Sequence, residues 1–324
     1  MLPHDAPDGS ACAAWASPTA PDSEVALPVV RRLRWDRTVP RALVHRRSVC
    51  EVLLTDALAL GSDRYGFGVQ WPRRQVVDRV LRDDPVDPLL VAETVRQCGL
   101  MLTTAFWRIP GSATAVIKDM AVHITADRLR PCGYGALDLT CHAHVEHART
   151  GTGGSWPAMS RVSFDLVADD VRIARAHGEV RLLTGPQYAA ARKVHRWDHP
   201  RACPAVTPVD ASAVGLRDSA AVMVGRDGQG AVCVCPADLR HPFFFDHPSD
   251  HVPGTALIEA ARQAAHLSGV LAGRRLVAVG FQADRFVDWG RAAQIHGESR
   301  AQGWHFGIDQ DGRTAARGFL GYAP

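Results

Sequence analysis

This chain of 324 residues is short of lysine: Lys118 and Lys193 are its two lysines, and the remaining Lys+Arg count is arginine. Arginine suits forked contacts to phosphate and carboxylate better than lysine does. With Lys+Arg 37 against Asp+Glu 34, the formal net charge is only +3, too little to argue for bulk nucleic-acid binding. A helix-turn-helix pattern is missing too. No apolar run reaches the roughly 18 residues that a membrane span needs. The opening residues, MLPHDAPDGSACAAWASPTAPDSE, lack the basic start and apolar centre of a signal peptide. A cytoplasmic protein with neither membrane nor nucleic acid as partner is expected. None of the eight cysteines forms a CxxC pair, which leaves thiol-redox and zinc-ribbon patterns without support. Cys233 and Cys235, in AVCVC, read as small apolar strand residues.

What the chain does have is a globular balance, 46% hydrophobic and 22% charged. Residues 1–28, rich in Ala, Pro, Ser and Asp, read as a flexible tail. In the segment CHAHVEH, a strand would put His142, His144 and Glu146 on one face. No second ligand cluster stands elsewhere, so a solvated strand face is the simpler reading, and no metal is expected.

The chain repeats itself. DPVDPLLVAETVRQCGL (84–100) and DHVPGTALIEAARQAAH (250–266) align without a gap at an offset of 166, about half the length. Asp84 matches Asp250, Glu93 matches Glu259, Arg96 matches Arg262, and Gln97 matches Gln263. Each reads as a helix with a proline near its start, Pro88 or Pro253. The second is apolar on nearly every side, which marks a buried helix. Its polar stripe is Glu259, Arg262, Gln263 and His266; the first helix carries Glu93, Arg96, Gln97 and Leu100 in those places. Strand-like segments follow each helix: 113–125, 136–147, 161–168 and 171–183, then three more after residue 270, with hairpin turns at Asp169-Asp170 and within Asp309–Gly312. One buried helix followed by antiparallel strands, twice over, predicts an α+β fold of the tandem hotdog kind, two antiparallel sheets each wrapped around a central helix. The predicted boundaries are repeat one at 29–184, a linker at 185–208, and repeat two at 209–324.

Glu and Arg are almost never fully buried without a partner. On these helices they are either a buried ion pair holding the halves together or the lining of a substrate cavity. A carboxylate in an apolar cavity would have a raised pKa suited to general-base chemistry, and an arginine there would anchor a phosphate. A helix N-terminus offers unpaired N–H groups to a thioester carbonyl. Gly254 would let substrate approach the backbone, and His247 and His251 lie just upstream as candidate acids or bases.

The stretches 44–97 and HPFFFDHPSDHVPGTALIEAARQ (241–263) resemble the two repeats of the AfsA family of γ-butyrolactone-type signal biosynthesis proteins. More distantly, Pro253, Gly254, Glu259 and Gln263 keep the spacing of hotdog hydroxyacyl dehydratases. Phe245 stands where the dehydratase histidine belongs, and that departure weakens a dehydration reading. The AfsA resemblance implies an acyltransferase, with no cofactor. It would join a β-ketoacyl group, delivered by an acyl carrier protein, to dihydroxyacetone phosphate. The phosphorylated β-keto ester then becomes a butyrolactone, butenolide or furan signal that controls antibiotic production.

On that reading Glu93 deprotonates the alcohol and Arg262 holds the phosphate. Arg96 and Glu259 form a reciprocal site or structural support, and Gln97 and Gln263 orient the acyl carbonyl. Arg31, Arg32, Arg34, Arg46, Arg47, Arg73 and Arg74 would dock the acidic carrier. The two halves form an internal pseudo-dimer, which either suffices alone or pairs further as a homodimer. The alternatives are a hotdog dehydratase or thioesterase, and a non-catalytic acyl- or signal-binding regulator.

Overall fold

The computed structural model describes residues 32–72, 86–126, 136–150, 156–192, 199–271, 273–301 and 303–323, with backbone alone at 147–150. The expected tail 1–28, and Arg31, Arg73, Arg74 and Asp84, lie outside the described residues.

The first half contributes strands β1 (Leu54–Gly61) and β2 (Arg64–Trp71), then helix α1 (Pro88–Met101). Strands β3 (Thr114–Ile124), β4 (Leu137–Thr150), β5 (Pro157–Ala168) and β6 (Val171–Leu183) follow. A short helix α2 (Gly185–Arg192) comes next. The second half adds β7 (Val206–Pro208), β8 (Val224–Asp227), β9 (Val232–Val234) and helix α3 (Gly254–Leu267). It ends with β10 (Arg275–Ala283), β11 (Ala293–Arg300), β12 (Gly303–Gln310) and β13 (Arg313–Ala323).

The strand order is β1-β2-β4-β5-β6-β3 in the first half and β10-β13-β12-β11-β9-β8 in the second, with β7 added at the outer edge. The second string is the first one repeated in reverse, with β8 for β1, β9 for β2 and β10 for β3. The duplication seen in the helices therefore extends through the whole topology. The halves meet edge to edge where β3 pairs antiparallel with β10, setting Met120 opposite Phe281 and Val122 opposite Val279, all four buried. Lys118 reinforces this seam, donating to the Ala283 carbonyl at 2.7 Å and pairing with Asp284 at 2.9 Å. The two predicted sheets are thus joined into one sheet of 13 strands. Alternation along each strand builds the core. In β4, Leu139, Cys141, Ala143 and Val145 point inward, while His144 and Glu146 are exposed and His142 is half-buried.

The turns obey local chemistry. Asp169 and Asp170 (φ 46° and 62°) and Asp311 and Gly312 (φ 55° and 69°) take the paired left-handed conformations that tight hairpins require. In α1, Asp87 caps the first turn by accepting from the Leu89 N–H at 3.0 Å, and Pro88 occupies the first helical position. Helix α3 starts at Pro253-Gly254 with no side-chain cap. Both helices are buried in the hollow of the curled sheet and touch each other. The segment expected as linker carries α2, whose Arg192 is buried. It donates to Asp250 and Asp288 at 2.9 Å each, pinning α2 to the turn before α3.

Candidate active site between the two halves

Each central helix is tied to the loop before its first strand by its glutamine. Gln97 Oε1 accepts from the Leu53 N–H at 2.9 Å, and its Nε2 donates to the Glu51 carbonyl (2.9 Å) and to Glu93 (2.7 Å). Gln263 repeats this with the Met223 N–H (2.7 Å), the Ala221 carbonyl (2.9 Å) and Glu259 (2.8 Å). Both amide N–H bonds of each glutamine are spent on protein acceptors. The expectation that Gln97 and Gln263 orient an acyl carbonyl is therefore corrected: they are backbone clamps, because a buried polar group takes the acceptors nearest to it.

These bonds also reveal a second offset. Ahead of the strands the halves correspond at 170 rather than 166. The short helical turns Arg41–Val44 and Val49–Glu51 match Ala211–Val214 and Ser219–Ala221. His45 and Gly215, both left-handed, close the first turn of each pair, and Ser48 and Asp218 cap the second. At this offset Arg46 corresponds to Leu216.

That substitution separates the halves. Arg46 is 6% exposed, so it cannot be part of a docking surface as expected. Its Nη2 lies 2.6 Å from Glu93, and its Nη1 donates to the Phe243 carbonyl of the second half at 3.0 Å. Arg96 forks onto the same carboxylate, Nε at 2.8 Å and Nη2 at 3.0 Å. Two guanidinium groups and Gln97 thus surround a fully buried Glu93. Burial alone would raise its pKa, but Arg96 and Arg46 outweigh it and hold the pKa at about 2. The expected raised pKa is overturned, and Glu93 is a poor proton acceptor near neutral pH. It acts instead as the counter-ion that fixes Arg46 and Arg96. In the second half the apolar Leu216, 2% exposed, stands where Arg46 stands in the first.

A second asymmetry lies at the helix starts. Arg262 crosses between the halves to Asp87 at 2.9 Å, and its side chain is 5% exposed. The N-terminus of α1 is therefore closed by a carboxylate that is itself held by Arg262. At the equivalent places around α3, Pro253 replaces Asp87 and Gly254 replaces Pro88, so the start of α3 sets no carboxylate against Arg96 as Asp87 is set against Arg262. Arg96 keeps Nη1 outside its fork on Glu93, and its side chain is 17% exposed. The phosphate anchor assigned to Arg262 consequently fits Arg96 better, with Arg262 as the cross-tie. A Cβ added at Gly254 would meet Phe281 at 3.5 Å, ordinary contact, so protein packing alone does not require glycine there.

The approach to α3 supplies the remaining groups. The His247 ring lies against His45 of the first half, centroids 4.2 Å apart and planes tilted by 42°. Burial first, then His45 and Arg96, lower the His247 pKa to about 4. Asp246 accepts from the Arg47 and Ser48 N–H groups at 2.6 and 3.0 Å. His251 Nδ1 lies 2.6 Å from Asp250, whose carboxylate also receives Tyr188 and Arg192. His45, Arg46, Asp87, Asp246 and Arg192 escaped the sequence reading as site residues. Comparison at an offset of 170 was the available signal for the first two. Among the described residues no cluster of His, Cys, Asp and Glu could hold a metal.

A model of the A-factor biosynthesis hotdog domain, AfsA, matches residues 31–184 and 197–287, reaching into both halves. The chain belongs to the AfsA family. Among curated proteins, this AfsA-family chain is similar to a 2-oxo-3-(phosphooxy)propyl 3-oxoalkanoate synthase of Streptomyces virginiae. The two are 29% identical over 70% of this chain and 76% of the relative. A protein of the same name from Streptomyces griseus is 29% identical over 78% of this chain and 83% of its own length. Among solved structures it is similar to an acyl-ACP thioesterase from Bacteroides thetaiotaomicron, at 10% identity and a TM-score of 0.46, covering 80% of this chain and 98% of the other.

Proposed function

We propose that this AfsA-family protein is an acyltransferase that moves a 3-oxoacyl group from a thioester to the hydroxyl of dihydroxyacetone phosphate. The product is a 2-oxo-3-(phosphooxy)propyl 3-oxoalkanoate, the first intermediate toward a γ-butyrolactone-type signal. The observation that carries this reading is the match along both halves to synthases of that name, and the site's chemistry agrees with it. The start of α3, free of a side-chain cap, presents backbone N–H groups to a developing oxyanion. Gly254 leaves that approach open. Arg96 is a guanidinium held rigid by Glu93, with one edge left for a phosphate. His247 and His251 sit beside that helix start, His251 aligned by Asp250. The pseudo-symmetric place at the start of α1 has its arginine spent on Asp87, so one working centre per chain follows.

The acyl donor is proposed to be an acyl carrier protein, met by the exposed Arg32, Arg34 and Arg47; such binding should weaken steeply with added salt. The direct test is incubation with a 3-oxoacyl thioester and dihydroxyacetone phosphate, followed by mass detection. Ester supports the proposal. Free 3-oxo acid would make the protein a thioesterase, and binding without turnover would make it a regulator.

A further inference from the structure

We infer that His45 is the proton-handling catalytic residue of this centre, seated on the second half's His247 as its positioning partner. The inference deepens the acyltransferase reading and rests on it.

The first observation is backbone geometry. His45 holds φ 52° and ψ 52°, whereas its counterpart in the second half is Gly215 at φ 70°. A left-handed conformation is costly for a residue with a Cβ and persists where the surroundings over-determine it. Here they do. Directly after His45, the second half grips the chain through the Phe243 carbonyl on Arg46 and through Asp246 on the Arg47 and Ser48 N–H groups. The same turn built with glycine serves the second half, so the fold alone does not need a histidine.

The second observation is what the ring meets. His45 is solvent-exposed, yet its ring lies against His247, centroids 4.2 Å apart and planes tilted by 42°. His247 Nδ1 is buried with no hydrogen-bond partner. The charges facing His45 are Arg96 from α1, Arg46 and Arg47 from its own loop, and Asp246 from the second half. Burial first, and then Arg96 and Arg46, lower its pKa, which favours the neutral imidazole. A phosphate brought to Arg96 would offset one of those positive charges as the imidazolium forms.

The step balances. The alcohol oxygen attacks the thioester carbonyl carbon while its proton passes to the His45 ring. The C–S bond breaks, and His45 returns the proton to the departing sulfur. Ester and thiol result, and the imidazole is neutral again.

The test is His45→Gly, which copies the second half and relieves the left-handed backbone, with His45→Gln as a companion. In the mass assay with a 3-oxoacyl thioester and dihydroxyacetone phosphate, kcat should fall about 10²- to 10⁴-fold. The KM for dihydroxyacetone phosphate should stay within about threefold. The melting temperature of His45→Gly should be unchanged or higher, and added imidazole should restore turnover to it. Wild-type turnover with His45→Gly inside about threefold of it would overturn the assignment of His45 alone. Rate loss that tracks a lowered melting temperature, without imidazole rescue, would likewise make His45 structural. A wild-type protein that forms no ester would overturn the acyltransferase reading and this inference with it.

Discussion

The first and second halves of this chain share a strand order, a buried helix with Glu, Arg and Gln in the same places, and a glutamine clamp with the same three acceptors or donors. They part at a few side chains around the helices. The first half puts His45 and Arg46 where the second has Gly215 and Leu216. At the helix starts, the first has Asp87-Pro88 and the second Pro253-Gly254. Those differences close one of two equivalent sites with an acid and equip the other with an arginine, histidines and an open helix end. Duplication supplied the frame twice, and under the proposed function the loops set the two copies apart chemically.

The comparison can be broken most forcefully at Glu93. Glu93→Ala leaves Arg46 and Arg96 without their shared counter-ion in a buried site, and it should destabilise the protein by about 3–5 kcal/mol in urea unfolding. A loss below about 1 kcal/mol would mean the network does not hold the first half. Because its folded pKa is depressed, the Glu93 contribution is complete above the unfolded value of about 4.3 and is lost as pH falls toward about 2. The wild type should therefore lose stability through that window more steeply than Glu93→Gln does.

The glutamine clamps test the shared part. Gln97→Ala and Gln263→Ala each strand a buried backbone N–H together with a carbonyl that is part-buried in the first half and buried in the second, and each should cost about 2–3 kcal/mol. Clearly unequal losses in matched melts would show that the two frames are not equivalent.

A smaller effect is expected at the closed site. Asp87→Asn keeps a helix cap but removes the charge facing the buried Arg262, costing about 2 kcal/mol without creating a second active centre, since Gly215 and Leu216 still stand there. Two product-forming sites in a burst experiment on that variant would refute the role given to those residues. Smallest in stability is Gly254→Ala, within about 0.5 kcal/mol because its Cβ meets Phe281 at ordinary contact distance. Its transfer rate should nevertheless fall about tenfold, because the methyl crowds a carbonyl at the α3 start. An unchanged rate would move the acyl carbonyl elsewhere.

Much of this arrangement was legible beforehand. A glutamate, an arginine and a glutamine on an apolar helix, repeated at a fixed offset, announce a duplicated buried helix, because ionisable groups do not enter a core without partners. The partners were not legible. Phe243 and Asp246 reach Arg46, Arg47 and Ser48 across nearly 200 residues of chain. The change of offset from 166 to 170 also hid the correspondence of His45 with Gly215. Sequence reasoning alone gave Glu93 a raised pKa, since it weighed desolvation without the second guanidinium from Arg46.

The sequence by itself determined the double hotdog, through hydrophobic periodicity, turn residues and an internal repeat that are all local properties of the chain. Only the tertiary structure decided which carboxylate is neutralised, which arginine keeps an open edge and which helix start is blocked. Those outcomes depend on charges brought within a few ångströms of one another from distant stretches of chain, and for Arg262 and Asp87 from opposite halves, where burial magnifies each one.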